Sequence, residues 1–280
     1  EKFEKLLRIA VTHGLKFKES KCHLGMEAIC HLGFVCNRDG IYIHPDRVSR
    51  LLRIPPASNV DELRHILGAF TYVRAWTKDA ASIAAPLTDL LRKGIGWQWG
   101  PRQEEALRRL KESVALAPCL AGEIDPKRKV YVASDASILG VAAVLFQYFD
   151  DPSGKRDKHG NILQVARPLM YASRRFSPTE FRWSINCKEA YSIKYCFEQW
   201  GNLLQGYYVT VQTDHKNSLW LWQSKDPKVE RWRLFLQRWE HTIEHIPGTS
   251  NCVPDALSRM HIDNLSAKAP SDQEARTLRD

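Results

Sequence analysis

Strand-like and helical segments alternate after residue 125, and their order restricts the fold more than any other feature of this sequence. In chain order they are strands at 129–135, 139–148 and 167–173, a helix at 184–200, a strand at 207–213, helical stretches at about 216–222 and 228–238, a strand at 240–246 and a short helix from Pro254. Strands followed by helices and further strands are typical of mixed α/β folds. The order therefore predicts one mixed sheet with flanking helices.

The segment before residue 125 has a different pattern. Residues 2–13 carry apolar residues near one helical face, and Gly14 follows as a helix stop. Asp39-Gly40 lies between two apolar runs and predicts a β-hairpin. The first 44 residues are therefore expected to form a helix and a hairpin.

Residues 45–118 are predicted to be mainly helical. Ser58, with Asp61 three residues later, resembles a capping box at the start of one helix. Pro101 occupies a favoured first helical position for another. The polar, turn-rich stretch 150–161 predicts a flexible loop, and the tail 261–280 has the composition of a linker or disordered end.

Charge and cysteine content limit the partners and the compartment. The 280 residues carry a formal net charge of +9, which favours a polyanionic partner such as nucleic acid. Seven scattered cysteines, an odd number, predict free thiols in a reducing compartment and so an intracellular protein that is not secreted. No apolar run reaches the roughly 20 residues of a membrane span.

Two carboxylates occupy unusual positions in the predicted elements. Asp135 stands at the end of an apolar strand, where an acid is most often a solvated turn residue. Glu189 falls in an otherwise apolar helical stripe with Ile185, Ile193, Cys196 and Trp200. A carboxylate in such a stripe has to be neutral, paired or metal-bound, so a buried ion pair and a metal ligand both remain open.

Two further acids have plain local explanations. Asp214 ends the strand of residues 207–213 on the same face as Thr210 and Gln212, which strand alternation predicts to be solvated. Asp255 follows Pro254 at a helix start, where an acid stabilises the helix dipole. Each of these acids is therefore also compatible with a purely structural role.

Taken together, the four acids follow the order of the catalytic residues of ribonuclease H. SDAS around Asp135, KEA around Glu189, TDHK around Asp214 and NCVPDALSR around Asp255 resemble the RNase H domain of a gypsy-type LTR retrotransposon Pol polyprotein. RPLMYASRRFSPTE and IPGTSN resemble its linking segments. The resemblance implies an RNase H-like, mixed five-stranded sheet with flanking helices.

The N-terminal part resembles the reverse transcriptase of the same polyproteins. ICHLGFVCNRDGIYIHPDRV is similar to the end of the palm with its primer-grip hairpin, and DELRHILGAFTYVR and IAAPLTDLLRKG are similar to the thumb and connection. The expected domains are the palm end at 1–44, a mainly helical thumb/connection at 45–125, RNase H at 126–260 and a linker or disordered tail at 261–280. The loop 148–166 is longer than the family usually carries. No Tyr-x-Asp-Asp motif occurs, so this chain alone is not expected to polymerise DNA.

The resemblance also implies a chemistry and a set of partners. An RNase H cleaves the RNA strand of an RNA–DNA hybrid with two Mg²⁺ or Mn²⁺ ions. By resemblance Asp135, Glu189, Asp214 and Asp255 are the metal ligands, and His245 is a candidate for proton transfer, or else a strand-face histidine. The expected partners are nucleic acid and the remaining palm and fingers or another protein subunit, with no membrane. A domesticated, non-catalytic nucleic-acid-binding scaffold is the alternative function.

Overall fold

The structure is a computed structural model that describes residues 2–18, 22–157, 159–213 and 224–246. The N-terminal elements are α1 (Lys2–Thr12), β1 (Ala28–His31), β2 (Phe34–Asn37), β3 (Gly40–Ile43), α2 (Pro45–Leu52), α3 (Val60–Tyr72), a 3₁₀ turn (Arg74–Trp76), α4 (Ala80–Ile83), α5 (Ala85–Asp89) and α6 (Pro101–Ala115). The later elements are β4 (Val130–Ala136), β5 (Gly140–Asp150), β6 (Gln164–Arg175), α7 (Pro178–Phe181), α8 (Ile185–Trp200), β7 (Val209–Thr213), α9 (Pro227–Leu236) and β8 (His241–His245).

Strands β4 to β8 form one mixed five-stranded sheet in the order β6-β5-β4-β7-β8. Neighbours β4, β5 and β6 pair antiparallel, whereas β7 is parallel to both β4 and β8. Parallel neighbours require crossover connections, and α8 and α9 lie in the two crossovers. The predicted RNase H-like mixed sheet with flanking helices is confirmed.

A separate three-stranded antiparallel sheet contains β1, β2 and β3. The predicted hairpin at Asp39-Gly40 joins β2 to β3. Gly40 has φ +141°, and a Cβ at this position would lie 2.0 Å from the carbonyl oxygen of Leu120. Glycine therefore allows the hairpin to approach the segment after α6, where Ile41 and Leu120 form an antiparallel bridge.

Both faces of the five-stranded sheet are covered. Helices α8 and α9 pack on one face through a buried cluster that includes Val132, Val211, Phe197 and Leu236. Helices between residues 45 and 115 pack on the other face. The helical segment and the sheet therefore share a continuous apolar core on this side.

Polar contacts reinforce the packing of these helices on β6. The Arg74 guanidinium donates a hydrogen bond to the carbonyl oxygen of Ser173 at 2.6 Å, and the Ser173 hydroxyl accepts one from the Ala81 amide at 3.0 Å. Arg175 forms a bidentate pair with Asp89, with N–O distances of 2.6 and 3.2 Å. These contacts link residues about 90 positions apart in the sequence.

The structure corrects the expected exposure of β7. All five residues of this strand are buried, including Thr210 and Gln212, which alternation predicted to be solvated. The reason is the second helical layer. Thr210 and Gln212 pair with Tyr131 and Ala133, which face the helices of residues 45–115.

Two local predictions are also corrected. Asn59, rather than Ser58, is the N-cap of α3, because its extended backbone lets its side chain accept a hydrogen bond from the Glu62 amide at 2.9 Å. Residues 148–150 and 164–166 pair as strands, so the connection between β5 and β6 covers residues 151–163 and is shorter than the loop 148–166 that the family resemblance gave. Among the described residues, no helix is long and apolar enough to cross a membrane.

Candidate active site

Asp135 lies near the carboxyl end of β4, the central strand of the five-stranded sheet, and is exposed. It pairs with Ala142 across the antiparallel β4–β5 ladder. The two residues before it, Ala133 and Ser134, are buried. The strand therefore anchors the backbone in the core and presents the carboxylate at its open end.

Glu189 lies on the first half of α8 and is half-buried, with its Oε2 atom shielded from solvent. Ile193, Cys196 and Trp200 continue its face and are buried as predicted. Ile185, however, is 70% exposed, so the apolar stripe begins only after the first turn. Glu189 thus stands at the edge of the core, with its carboxylate within reach of the surface.

A buried pair of hydroxyls joins β4 to α8 next to these acids. Ser134 Oγ and Ser192 Oγ are 3.0 Å apart, and both side chains are at most 2% exposed. Ser192 Oγ also donates to the carbonyl oxygen of Glu189 at 2.8 Å. Because Ser134 directly precedes Asp135, this network brings the strand end and the helix turn that carry the two acids together.

A second contact joins α8 to the turn that follows Asp135. Lys188 Nζ donates to the carbonyl oxygen of Ile138, at 3.4 Å, in the turn between β4 and β5. Asp135 lies between Ser134 and Ile138 in the chain, and Glu189 lies between Lys188 and Ser192. In the sequence, each acid therefore lies between two residues that form hydrogen bonds linking α8 to β4 or to the turn after it.

Cys196 lies under this network and does not offer a reactive thiol. It is completely buried, and its Sγ donates to the carbonyl oxygen of Ser192 at 3.2 Å. Burial raises the pKa of the Cys196 thiol, so the side chain stays neutral near pH 7. The chemistry of this end of the sheet therefore rests on its carboxylates.

The remaining predicted site residues are only partly covered by the structure. Asp214 and Asp255 lie outside the described residues. His245 is the last residue of β8, is exposed, and pairs with Thr213 of β7 in the parallel ladder. The predicted strand position of His245 is therefore correct, and its catalytic role stays a prediction.

The donor chemistry of the described acids suits a hard divalent cation. Carboxylate oxygens are the ligands preferred by Mg²⁺ and Mn²⁺. Within the described ranges, no three His, Cys, Asp or Glu side chains are grouped as a metal site would require. Asp135 and Glu189 are the two predicted ligands that lie within the described residues, and their role as ligands stays a prediction.

Sequence reasoning missed the residues that join the acid-bearing elements. Ser134 and Lys188 belong to the SDAS and KEA motifs, and Ser192 follows Glu189 by three residues. A serine in an apolar strand and a lysine on a buried helix face were available signals. Their meaning depends on partners about 50 residues away in the chain.

Comparisons with known proteins agree with this architecture. Residues 125–239 match the family model described as the RNase H-like domain found in reverse transcriptase. The chain is 28% identical over 270 residues to the transposon Tf2-3 and Tf2-4 polyproteins of Schizosaccharomyces pombe. The match covers 94% of this chain and 19% of each relative, so the chain spans about a fifth of their length. The resemblance to retrotransposon polyproteins is confirmed.

Solved structures provide a match at the level of the fold. A foamy viral protease-reverse transcriptase in complex with double-stranded DNA superposes with a TM-score of 0.68 and 19% identity, over 88% of this chain and 50% of that one. The same viral protein in complex with an RNA/DNA hybrid gives a TM-score of 0.65 over 83% of this chain and 31% of that one. The superposed region therefore includes both the N-terminal elements and the RNase H-like sheet.

Proposed function

We propose that this chain, whose residues 125–239 match the RNase H-like domain of reverse transcriptases, cleaves the RNA strand of RNA–DNA hybrids. The observation that carries the proposal is the placement of Asp135 and Glu189 at the same end of two elements that hydrogen bonds join. Two carboxylates about 4 Å apart repel each other by about 4 kcal/mol at an effective dielectric constant near 20. Carboxylates brought that close would therefore be a poor structural feature and a good ligand set for a divalent cation.

Asp135, Glu189, Asp214 and Asp255 are the proposed ligands of two Mg²⁺ or Mn²⁺ ions. The sequence positions of the first and third proposed ligands, relative to the last described β4–β7 pair, support this ligand set. Ala133 of β4 pairs with Gln212 of β7, and Asp135 and Asp214 each follow two residues later in the sequence. When bound, the two ions stabilise charge on the attacking and leaving oxygens of a phosphodiester.

His245 is the proposed proton-transfer residue. His245 is the exposed last residue of β8 and pairs with Thr213, the residue directly before Asp214 in the sequence. An imidazole has two ring nitrogens and can accept or donate a proton in general acid–base catalysis. The pairing of His245 with the residue that precedes Asp214 in the sequence supports a role in moving protons to and from the reacting phosphate.

An RNA–DNA hybrid is the proposed substrate, and the rest of a reverse transcriptase is the proposed protein partner. The net charge of +9 supports binding to nucleic acid, and recognition of 2′-hydroxyls would distinguish the hybrid from double-stranded DNA. The apolar residues Phe3, Leu6 and Val11 of α1 are exposed in this chain. Exposed apolar side chains on one helix support a contact with a protein partner such as the remaining palm and fingers of a reverse transcriptase.

The decisive experiment compares the unmodified chain with an Asp135→Asn variant on a labelled RNA–DNA hybrid in Mg²⁺ or Mn²⁺. We expect Asp135→Asn to lower the cleavage rate by about 10³-fold or more, because a neutral amide is a far weaker cation ligand. Asp150→Asn is the matched control, since Asp150 is also an exposed acid near the end of a strand of the same sheet. Cleavage by the control should stay within about twofold of the unmodified chain.

Two outcomes would contradict the proposal. Equal cleavage by the Asp135→Asn variant would remove Asp135 from the mechanism. Tight hybrid binding without cutting by the unmodified chain would favour the non-catalytic scaffold. Binding should be measured at low and high salt, because phosphate contacts weaken steeply as salt rises.

A further inference from the structure

Lys188 is a buried lysine next to the proposed metal ligand Glu189. Its side chain is 7% exposed, although lysine is rarely buried without a partner. Removing an ammonium group from water is unfavourable unless the protein replaces its hydration. The position therefore requires an explanation beyond helix packing.

Three groups replace water around the Lys188 ammonium. Nζ donates to the carbonyl oxygen of Ile138 at 3.4 Å, and it lies 5.4 Å from the ring centroid of Phe176 and 5.1 Å from that of Phe181. Both aromatic contacts fall within the range of cation–π attraction. The ammonium is thus held against the turn between β4 and β5 by one hydrogen bond and two ring faces.

The Lys188–Ile138 hydrogen bond ties the β4–β5 turn to α8. Ile138 and Leu139 are exposed, and the turn's other described hydrogen bonds run to Ser137, to Gly140 and, through the Leu139 carbonyl, to the Phe176 amide at 2.9 Å. The turn directly follows the strand end that carries Asp135. A movement of the turn relative to α8 is therefore expected to shift that strand end relative to the helix that carries Glu189.

We propose that Lys188 is a positioning residue that fixes the separation of Asp135 and Glu189 by tying the β4–β5 turn to α8. This inference rests on the proposed hydrolysis of hybrids. The Ser134–Ser192 pair joins α8 to the residue before Asp135, and Lys188 with Ile138 joins α8 to the turn after it. Ligands held in advance at their working separation need no reorganisation when the cations and the substrate bind.

The first test measures the anchor without reference to catalysis. Lys188→Met keeps an apolar stem of similar length and removes both the charge and the hydrogen bond. Lys194→Met is the matched control, because Lys194 lies on the same helix, contacts the rings of Tyr191 and Phe235, and pairs with Glu198 away from the turn. In the metal-free protein we expect amide hydrogen exchange at Leu139 and Gly140 to rise about tenfold in Lys188→Met and to stay unchanged in Lys194→Met.

The second test separates positioning from simple stabilisation. On a labelled hybrid with saturating Mg²⁺, Lys188→Met should lower kcat about tenfold with KM within about twofold, and Lys188→Arg should restore most of kcat by keeping a charged donor. Equal exchange at the turn in both methionine variants would overturn the inference. So would an unchanged kcat in Lys188→Met together with a tenfold loss in Lys194→Met.

The two levels of proposal fail in different ways. If the unmodified chain cuts no hybrid, the proposed function is wrong, and the exchange measurement still decides whether Lys188 anchors the turn. If the chain cuts hybrid and the exchange at Leu139 and Gly140 is the same in Lys188→Met as in the unmodified chain, the anchoring role is wrong and the proposed function stands.

Discussion

Arg174 and Glu180 form an ion pair where β6 leads towards α8. The Arg174 guanidinium and Glu180 Oε1 are 2.6 Å apart, and the Ser177 amide donates to Glu180 Oε2 at 2.8 Å. Burial acts to raise the pKa of Glu180, but the hydrogen bonds from Arg174 and Ser177 outweigh it and hold the pKa below its usual value. The ionised carboxylate therefore stabilises the folded state.

We expect Glu180→Gln to lower the free energy of unfolding by about 1 kcal/mol at pH 7, because a neutral amide loses the charge-assisted bonds. Because the pKa of Glu180 is lower in the folded state, its ionised carboxylate contributes stability that is fully present above the unfolded-state pKa. That contribution is lost as pH falls through the lower folded-state pKa, so the variant and the unmodified chain should converge in acid. Urea unfolding across this range checks the prediction. Glu123→Gln, at an exposed acid, is the control. The difference between its free energy of unfolding and that of the unmodified chain should not change with pH.

Single residues of the candidate site were predictable from sequence to different degrees. Asp135 and Glu189 stand out through their motifs and through the apolar context of Glu189, and the structure brings their elements together. Lys188 and Ser134 were not recognised, because their roles arise from hydrogen bonds across about 50 residues of sequence. Periodicity identifies the face on which a side chain lies, and it carries no information about the partner on another element.

At the level of elements, Gly140 controls how closely β5 approaches β6. A Cβ at this position would lie 2.3 Å from the carbonyl oxygen of Arg174, and backbone atoms cannot move aside as a flexible side chain can. Gly140 pairs with Arg175 at the start of the β5–β6 ladder. The glycine thus begins the longest antiparallel pairing of the sheet.

We expect Gly140→Ala to reduce the free energy of unfolding by about 2 kcal/mol or more, because the first ladder pairs must separate. Gly68→Ala is the matched control. Gly68 lies within α3 with no atom within 4 Å of an added Cβ, so alanine there should increase stability by about 0.5–1 kcal/mol. Urea denaturation of both variants measures the two free energies. Equal effects of the same sign would contradict this account of Gly140.

The elements themselves were largely predictable because strand alternation, helix periodicity and turn residues are local signals. The exposure of β7 was not, since Thr210 and Gln212 look like a solvated face until a second helical layer covers them. The strand ends at residues 149–150 and 164–166 were also missed. They flank the polar stretch that predicts a loop, and their cross-strand pairing is a long-range property.

At the scale of the whole molecule, one apolar cluster spans the helices of residues 45–115 and one face of the sheet. Leu63, Phe70 and Leu107 from the helices share this cluster with Val144 and other residues of the sheet. The sheet residues would be exposed if the helices detached. The domains predicted at 45–125 and 126–260 are therefore expected to depend on each other for stability.

Phe146 offers a test of this dependence, because it is fully buried between the two regions and stacks 5.5 Å from the ring of Tyr131. We expect Phe146→Ala to lower the free energy of unfolding by about 3–5 kcal/mol through a cavity in the shared core. Helix loss, followed by circular dichroism, and tryptophan fluorescence should shift together to lower urea concentration, as one cooperative unit requires. Phe3→Ala, at a half-exposed site on α1, should leave the urea midpoints of both transitions unchanged. Two separated transitions in Phe146→Ala, with the helical signal retained while the sheet unfolds, would show instead that the helices are an independent unit.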